Sequence, residues 1–146
     1  MTDTVSSELK KSKVLSYYYQ RRAESQIGSG ERFLLATAVF GTSSLVTQNS
    51  NGTYDIADIP ADFVLSDMLT QFATAALTLS YANGVITIRI ELDSSQLDPD
   101  TAYPFNTFVI LDSEGKACSV QCVQQDTIYK GKGYVATLYL NTGGAS

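Results

Sequence analysis

The sequence predicts a mainly β fold, either an antiparallel β-sandwich or a partly open barrel, with an N-terminal amphipathic helix and the spacing for a short second helix. Three observations carry this reading. Ile86, Ile88, Ile90 and Leu92 alternate with Thr87, Arg89 and Glu91, the period of two that marks a strand with one buried face. Two strand-forming runs, 105–111 and 116–123, flank Asp112-Ser113-Glu114-Gly115. Asp opens a type I turn, and Gly supplies the positive φ that closes a bulged hairpin. Further turn signals, Asn49-Ser50-Asn51-Gly52 and Ala82-Asn83-Gly84, also lie between strand-like segments.

In chain order, residues 1–6 are polar. Ser6 or Ser7 can cap a helix that runs to about Gln26. Val14 and Tyr18, with Leu15, Tyr19, Ala23 and Ile27, recur at three- and four-residue spacing as an apolar stripe. Lys10, Lys11, Lys13, Arg21 and Arg22 occupy most of the remaining surface. Gly28-Ser29-Gly30 ends the helix.

Residues 32–40 then form an almost continuous apolar run. It reads as a strand buried on both faces or a short buried helix, and its length and glycine-rich borders favour the strand. Leu65, Met68, Leu69 and Phe72 have helical spacing, which places a second helix at about 61–73. Strands are expected at 74–81, 85–92, 105–111, 116–123 and 134–140, with loops at 93–104 and 126–133. By length the chain is one domain: 1–27 the N-terminal helix, 28–140 a β-rich body and 141–146 a flexible tail.

At 146 residues the chain can bury a core without a metal or disulfide staple. It has no histidine, the commonest general base and the commonest metal ligand. The net charge is −5, split as +2 over residues 1–32 and −7 over the rest. An acidic body with a small basic front end does not suggest nucleic-acid binding. That basic end could instead meet an acidic protein surface, including that of a sister subunit. No apolar run approaches membrane length, so no membrane insertion is expected.

Cys118 and Cys122 fall on one face of a strand, about 13 Å apart at 3.3 Å per residue. That is beyond the roughly 7 Å a disulfide spans, so they read as small buried hydrophobes in a reducing compartment.

Sites of chemistry are sparse. Asp93, Asp98 and Asp100 make the one carboxylate cluster, without the spacing of an EF-hand loop, and read as a solvated loop. Lys130-Gly131-Lys132-Gly133 lacks the spacing of a phosphate loop and precedes a strand rather than a helix, so it reads as a turn. Cys118 has no histidine to activate it as a nucleophile. No catalytic residue, cofactor or metal is expected, and the chain reads as a non-enzyme.

The exception to the bland readings is Tyr17-Tyr18-Tyr19. Three consecutive tyrosines span nearly a full helical turn, so at least one must face a second surface. The candidate partner interface is therefore Val14, Leu15, Tyr17, Tyr18, Tyr19, Arg21 and Arg22. The alternative is a carbohydrate-binding β-sandwich acting in host recognition, with Tyr54, Tyr81 or Tyr103 stacking on sugar rings.

Taken in order, the chain resembles the N-terminal domain of the phage tail-collar fibre family of contractile-tailed phages. The matching pieces are the lysine-containing helix at 7–27, the strand and glycine at 33–41 and the connection Asp58-Ile59-Pro60. They continue with the strand at 85–92 and Phe108-Val109-Ile110-Leu111-Asp112-Ser113-Glu114-Gly115-Lys116-Ala117-Cys118. The resemblance implies a structural virion protein, a tail-fibre or baseplate attachment module without cofactor. Its implied partners are other tail or baseplate proteins and copies of itself, with a trimer favoured. Its implied place is the virion tail, after synthesis in the host bacterial cytoplasm.

Overall fold

A computed structural model describes residues 10–141 of the chain. The strands are β1 (Lys10–Val14), β2 (Leu35–Ser43), β3 (Val46–Gln48), β4 (Tyr54–Ile56), β5 (Met68–Ala82), β6 (Val85–Leu92), β7 (Ala102–Asp112), β8 (Ala117–Tyr129) and β9 (Tyr134–Asn141). The helix α1 covers Ser16–Gln26. Seven strands make one sheet in the order β1-β8-β7-β2-β5-β6-β9, and β3 and β4 form a separate small hairpin. Every pairing is antiparallel. The large sheet curls into a half-barrel, so the partly open barrel is the form adopted, not the two-sheet sandwich.

Side-chain alternation sorts the sheet into an inner and an outer face. The inner face holds Ala38, Phe40, Ala75, Ile88, Ile90, Leu92, Phe105, Phe108, Ile110 and Val123, all buried. Phe40, Phe105, Phe108 and Tyr134 meet there with ring centroids 4.9–6.0 Å apart. The outer face is covered on one side only. Val39, Val109, Leu111, Val120 and Cys122 pack outward against Val46, Ile56, Ile59, Phe63 and Met68 from the β3–β4 excursion and the segment after it. β7 and β8 are thus buried on both faces over much of their length, which is why 105–111 reads as an apolar run rather than a clean alternation.

Local chemistry sets the turns. Asn83 (φ 50°) and Gly84 (φ 82°) both adopt positive φ, the requirement of a two-residue type I′ hairpin between β5 and β6. At the β7–β8 turn, Asp112 Oδ1 accepts from the amides of Glu114 (3.0 Å) and Lys116 (2.9 Å), and Gly115 takes φ 81°. Gly41 sits at a bulge where β2 crosses β5; a Cβ there would overlap the Thr70 carbonyl oxygen.

Two sequence expectations are corrected. Residues 10–14 are strand, not helix: β1 pairs with β8 from Lys10↔Val123 to Val14↔Ser119. The chain turns into α1 only at Leu15, whose extended backbone (φ −83°, ψ 159°) ends the strand. The stripe containing Val14, Leu15 and Tyr18 therefore straddles two elements. The helical positions expected before residue 10 lie outside the described residues.

The second correction is at 61–73, where no α-helix forms. Leu65–Asp67 makes one 3-10 turn, with Asp67 Oδ2 accepting from the Val64 amide at 3.0 Å. β5 then begins at Met68. Pairing with β2 overrides the helical spacing, because Met68 and Ala75 bury in the cores only as an extended strand can place them.

Candidate partner interface

The helix follows β1 directly and lies at the end of the half-barrel where β1 and β5 finish. Its placement depends on two backbone bonds: Leu15 N donates to Cys118 O (2.9 Å) and Ser16 N to Ala61 O (2.9 Å). Leu15 is fully buried in the outer core. Tyr18, one turn on, is also buried, edge-on to Phe33 (5.5 Å) and lining one cavity with Leu35, Ile88 and Ile110. These two side chains fix α1 to its own sheet.

The three tyrosines have three different surroundings. Tyr17 is half-buried and donates its hydroxyl to Asp112 Oδ2 at 2.7 Å. Burial, with the Asp112 carboxylate beside it, raises the Tyr17 pKa well above its ordinary value. Tyr18 is core. Tyr19 is 51% exposed, edge-on to Tyr18 at 5.4 Å.

The arginines divide in the same way. Arg21 is buried: it pairs with Glu24 (2.9 Å), donates to the carbonyls of Ser29 and Glu31, and lies over the Phe33 ring at 5.8 Å. It folds the 28–33 loop against the helix, and Glu24's carboxyl is held below its usual range by that contact. Arg22 lies over both Tyr18 (5.6 Å) and Tyr19 (5.4 Å). Val14 is half-buried at the end of β1.

Of the seven residues named from sequence, Leu15, Tyr18 and Arg21 thus face their own domain, while Tyr19 and Arg22 reach the surface. Beside them is a surface that sequence reasoning did not assemble. Tyr18, Arg22, Phe33, Leu34, Leu79, Tyr81 and Ile86 line a shallow depression of about 530 Å³. Tyr81 is 66% exposed, and Leu34 and Leu79 are both more than 40% exposed. Leu77, Leu79 and Tyr81 continue the inward alternation of β5 out to the mouth of the barrel. The signal in the sequence was that alternation running up to the Asn83-Gly84 turn, where no core remains to receive it. An exposed apolar patch with aromatic and arginine members has the composition of a protein contact.

The other candidate sites have ordinary structural surroundings. Tyr54 packs on the outer core and Tyr103 stacks on Phe72 (4.9 Å, 9°), so of the three tyrosines considered for sugar stacking Tyr81 alone is open. Asp93 Oδ1 accepts from Ser95 N and Asp98 Oδ1 from Asp100 N, each at 2.9 Å, so both carboxylates shape turns. Lys132 bonds Asp126 at 2.8 Å beside Gly131 (φ 98°), in the turn between β8 and β9. Among the described residues, no group of three or more Cys, Asp or Glu is placed to hold a metal ion. Cys118 and Cys122 are free thiols with no exposed surface. Burial, with Asp112 nearby, pushes the Cys118 thiol up to about 12, and burial raises Cys122 as well. No described helix is long and apolar enough to cross a membrane.

Residues 1–145 match the family described as Bacteriophage P1 tail fiber protein R. The chain is similar to Tail fiber protein R of Escherichia phage P1, 52% identical over 138 residues, which cover 94% of this chain and 96% of that protein. No solved structure matches it. The expectation of a phage tail fibre family is met, and the chain belongs to the bacteriophage P1 tail fiber protein R family.

Proposed function

We propose that this protein is a structural, non-enzymatic component of the virion tail that attaches a fibre to the tail or baseplate. The observation that carries the reading is the apolar mouth of the half-barrel, where Arg22, Leu34, Leu79 and Tyr81 line one depression, with the exposed Tyr19 ring beside it under Arg22, next to a helix anchored by Leu15 and Tyr18. A rigid scaffold with an exposed aromatic and arginine patch suits docking to another protein, and large aromatic side chains with arginine dominate such contacts. Family membership supports the tail as the setting.

The docking partner is a neighbouring tail or baseplate protein, and the chain also associates with copies of itself. Three copies is the number favoured by its resemblance to tail-collar fibres. Synthesis in the host bacterial cytoplasm accords with two reduced, buried cysteines. Quantitative mass spectrometry of gradient-purified virions tests the reading. A small, fixed number of copies per tail is expected. Virions that lack the chain would overturn it.

A further inference from the structure

The half-barrel has a slot along one side. β1 and β9 are the two ends of the seven-stranded sheet, and among the described residues each has a sheet neighbour on one side only. Curling brings these ends to face each other. Ser12, Lys13 and Val14 line one cavity of about 290 Å³ with Thr137, Leu138, Tyr139 and Leu140. Lys11 and Ser12 line a second, of about 380 Å³, with Val135, Ala136, Thr137 and Leu138. The alignment advances in the same direction on both strands. Parity requires this: β1 and β9 are separated by an even number of antiparallel pairings, so they run parallel to each other. One strand inserted between them, running the opposite way, would be antiparallel to both. It would close an eight-stranded barrel, a size whose interior side chains just fill.

A second observation points to a missing occupant. Gln121 lies on β8 opposite Ser12 and lines both cavities. It is 7% exposed, and its Nε2 donates to Ser119 Oγ at 2.6 Å, but its Oε1 is buried without a partner. Buried acceptors are normally satisfied, and one left unpaired is destabilising.

We propose that the slot receives residues 2–6 of a second copy of this chain, in a reciprocal or cyclic exchange of N-terminal arms. This deepens the reading above and rests on the chain being a self-associating tail component. Nine residues precede β1 and can span about 30 Å when extended, enough to line the slot with residues left to bridge between copies. Thr2-Asp3-Thr4-Val5-Ser6 is a strand-compatible run. With Thr2, Thr4 and Ser6 facing inward, a hydroxyl can donate to Gln121 Oε1. Asp3 then faces outward, the side on which β1 carries Lys11 and Lys13.

The direction also fits. An arm antiparallel to the recipient's β1 leaves that barrel at the end where β1 begins, and runs straight on into its own β1. Folding back onto its own β1 would need a tight reversal, and Ser7-Glu8-Leu9-Lys10 contains no Gly, Asn, Asp or Pro to make one. The exchange is strand addition combined with domain swapping. It closes equally as a pair or as a ring of three.

Solution mass by light scattering, on the full chain and on a chain lacking residues 2–8, tests the proposal. The full chain should be a dimer or trimer and the shortened chain a folded monomer. A synthetic peptide of residues 1–9 should then bind the shortened chain one to one and raise its Tm. If the deletion unfolds the body, a chain with Thr4→Pro and Ser6→Pro poses the same question, because it keeps the arm's length and removes two backbone donors; a monomer supports exchange and an oligomer overturns it. A shortened chain that keeps its oligomeric mass overturns the exchange but leaves self-association standing. A monomeric full chain overturns both. A peptide that fails to bind the folded, shortened chain also overturns the exchange.

Discussion

The Tyr17 hydroxyl donates to Asp112 Oδ2 at 2.7 Å, across 95 positions of sequence. The same carboxylate's other oxygen organises the β7–β8 turn through the amides of Glu114 and Lys116. One buried aspartate therefore joins the helix beside the apolar depression to the central hairpin of the sheet. Replacing Tyr17 with Phe removes the donor and leaves a buried carboxylate oxygen short of a partner. Hydrogen bonds to charged groups contribute about 1.5–3 kcal/mol, and a loss of that size is expected in denaturant unfolding. A stability within about 0.5 kcal/mol of the parent would show that the bond does not anchor the helix.

The same pair predicts an alkaline limit. The Tyr17 pKa lies above its ordinary value of about 10, chiefly through burial and then through Asp112. The folded state keeps a proton that the unfolded chain releases. This contribution is complete below about pH 10 and is lost as pH rises from there towards the folded value. Unfolding free energy should fall above pH 10, and the fall should be shallower in Tyr17→Phe. Parallel pH profiles for the two proteins would contradict the assignment.

The tyrosine run must be divided to be tested. Tyr18→Ser removes a buried ring and should cost about 3–5 kcal/mol, as large-to-small core changes do. Tyr19→Ser with Tyr81→Ser alters exposed rings and should move stability by no more than about 0.5 kcal/mol per site. Thermal melts of the two variants check this contrast. Replacing all three consecutive tyrosines at once would confound folding with docking, because Tyr17 and Tyr18 belong to the domain's own packing.

Gly41→Ala should be among the most damaging single-methyl additions in the chain. Its Cβ would meet backbone, the Thr70 carbonyl, which cannot swing aside as a side chain can. Overpacking of this kind costs about 1–3 kcal/mol or more. A neutral effect on the denaturation midpoint would contradict the close approach of the Thr70 carbonyl to Gly41.

Both cysteines should resist thiol reagents in the folded protein at pH 8, since neither is exposed and both are held in the protonated form by burial. Modification should proceed at the rate of unfolding and become rapid in denaturant. Rapid labelling of the native protein would contradict the placement of β8 between two cores.

Much of the fold was legible where one physical effect dominates. The β5–β6 hairpin follows from Ile86, Ile88 and Ile90 alternating after Asn83-Gly84, and the central hairpin from Asp112 and Gly115. Reading failed where two effects compete. Met68, Leu69 and Phe72 have helical spacing, yet the pairing of β5 with β2 decides the conformation. Val14 and Leu15 look continuous with the helix, yet the edge of β8 claims residues 10–14 as strand.

The candidate interface was half legible. An excess of tyrosine on one helix required at least one ring outside the core, but which ring stays exposed depends on Phe33 and Asp112, which engage Tyr18 and Tyr17. Leu79 and Tyr81 join Tyr18 and Arg22 only through the curl of the sheet, which no local pattern encodes.

Incorporation into virions tests the central claim most directly. A phage lacking its own copy of this protein would be supplied with the parent chain or with the Tyr19→Ser, Tyr81→Ser variant, and the amount in purified tails measured. The account predicts that the parent is incorporated, and that the variant is largely absent from tails despite an unchanged melting temperature. Full incorporation of the variant would contradict docking through this face.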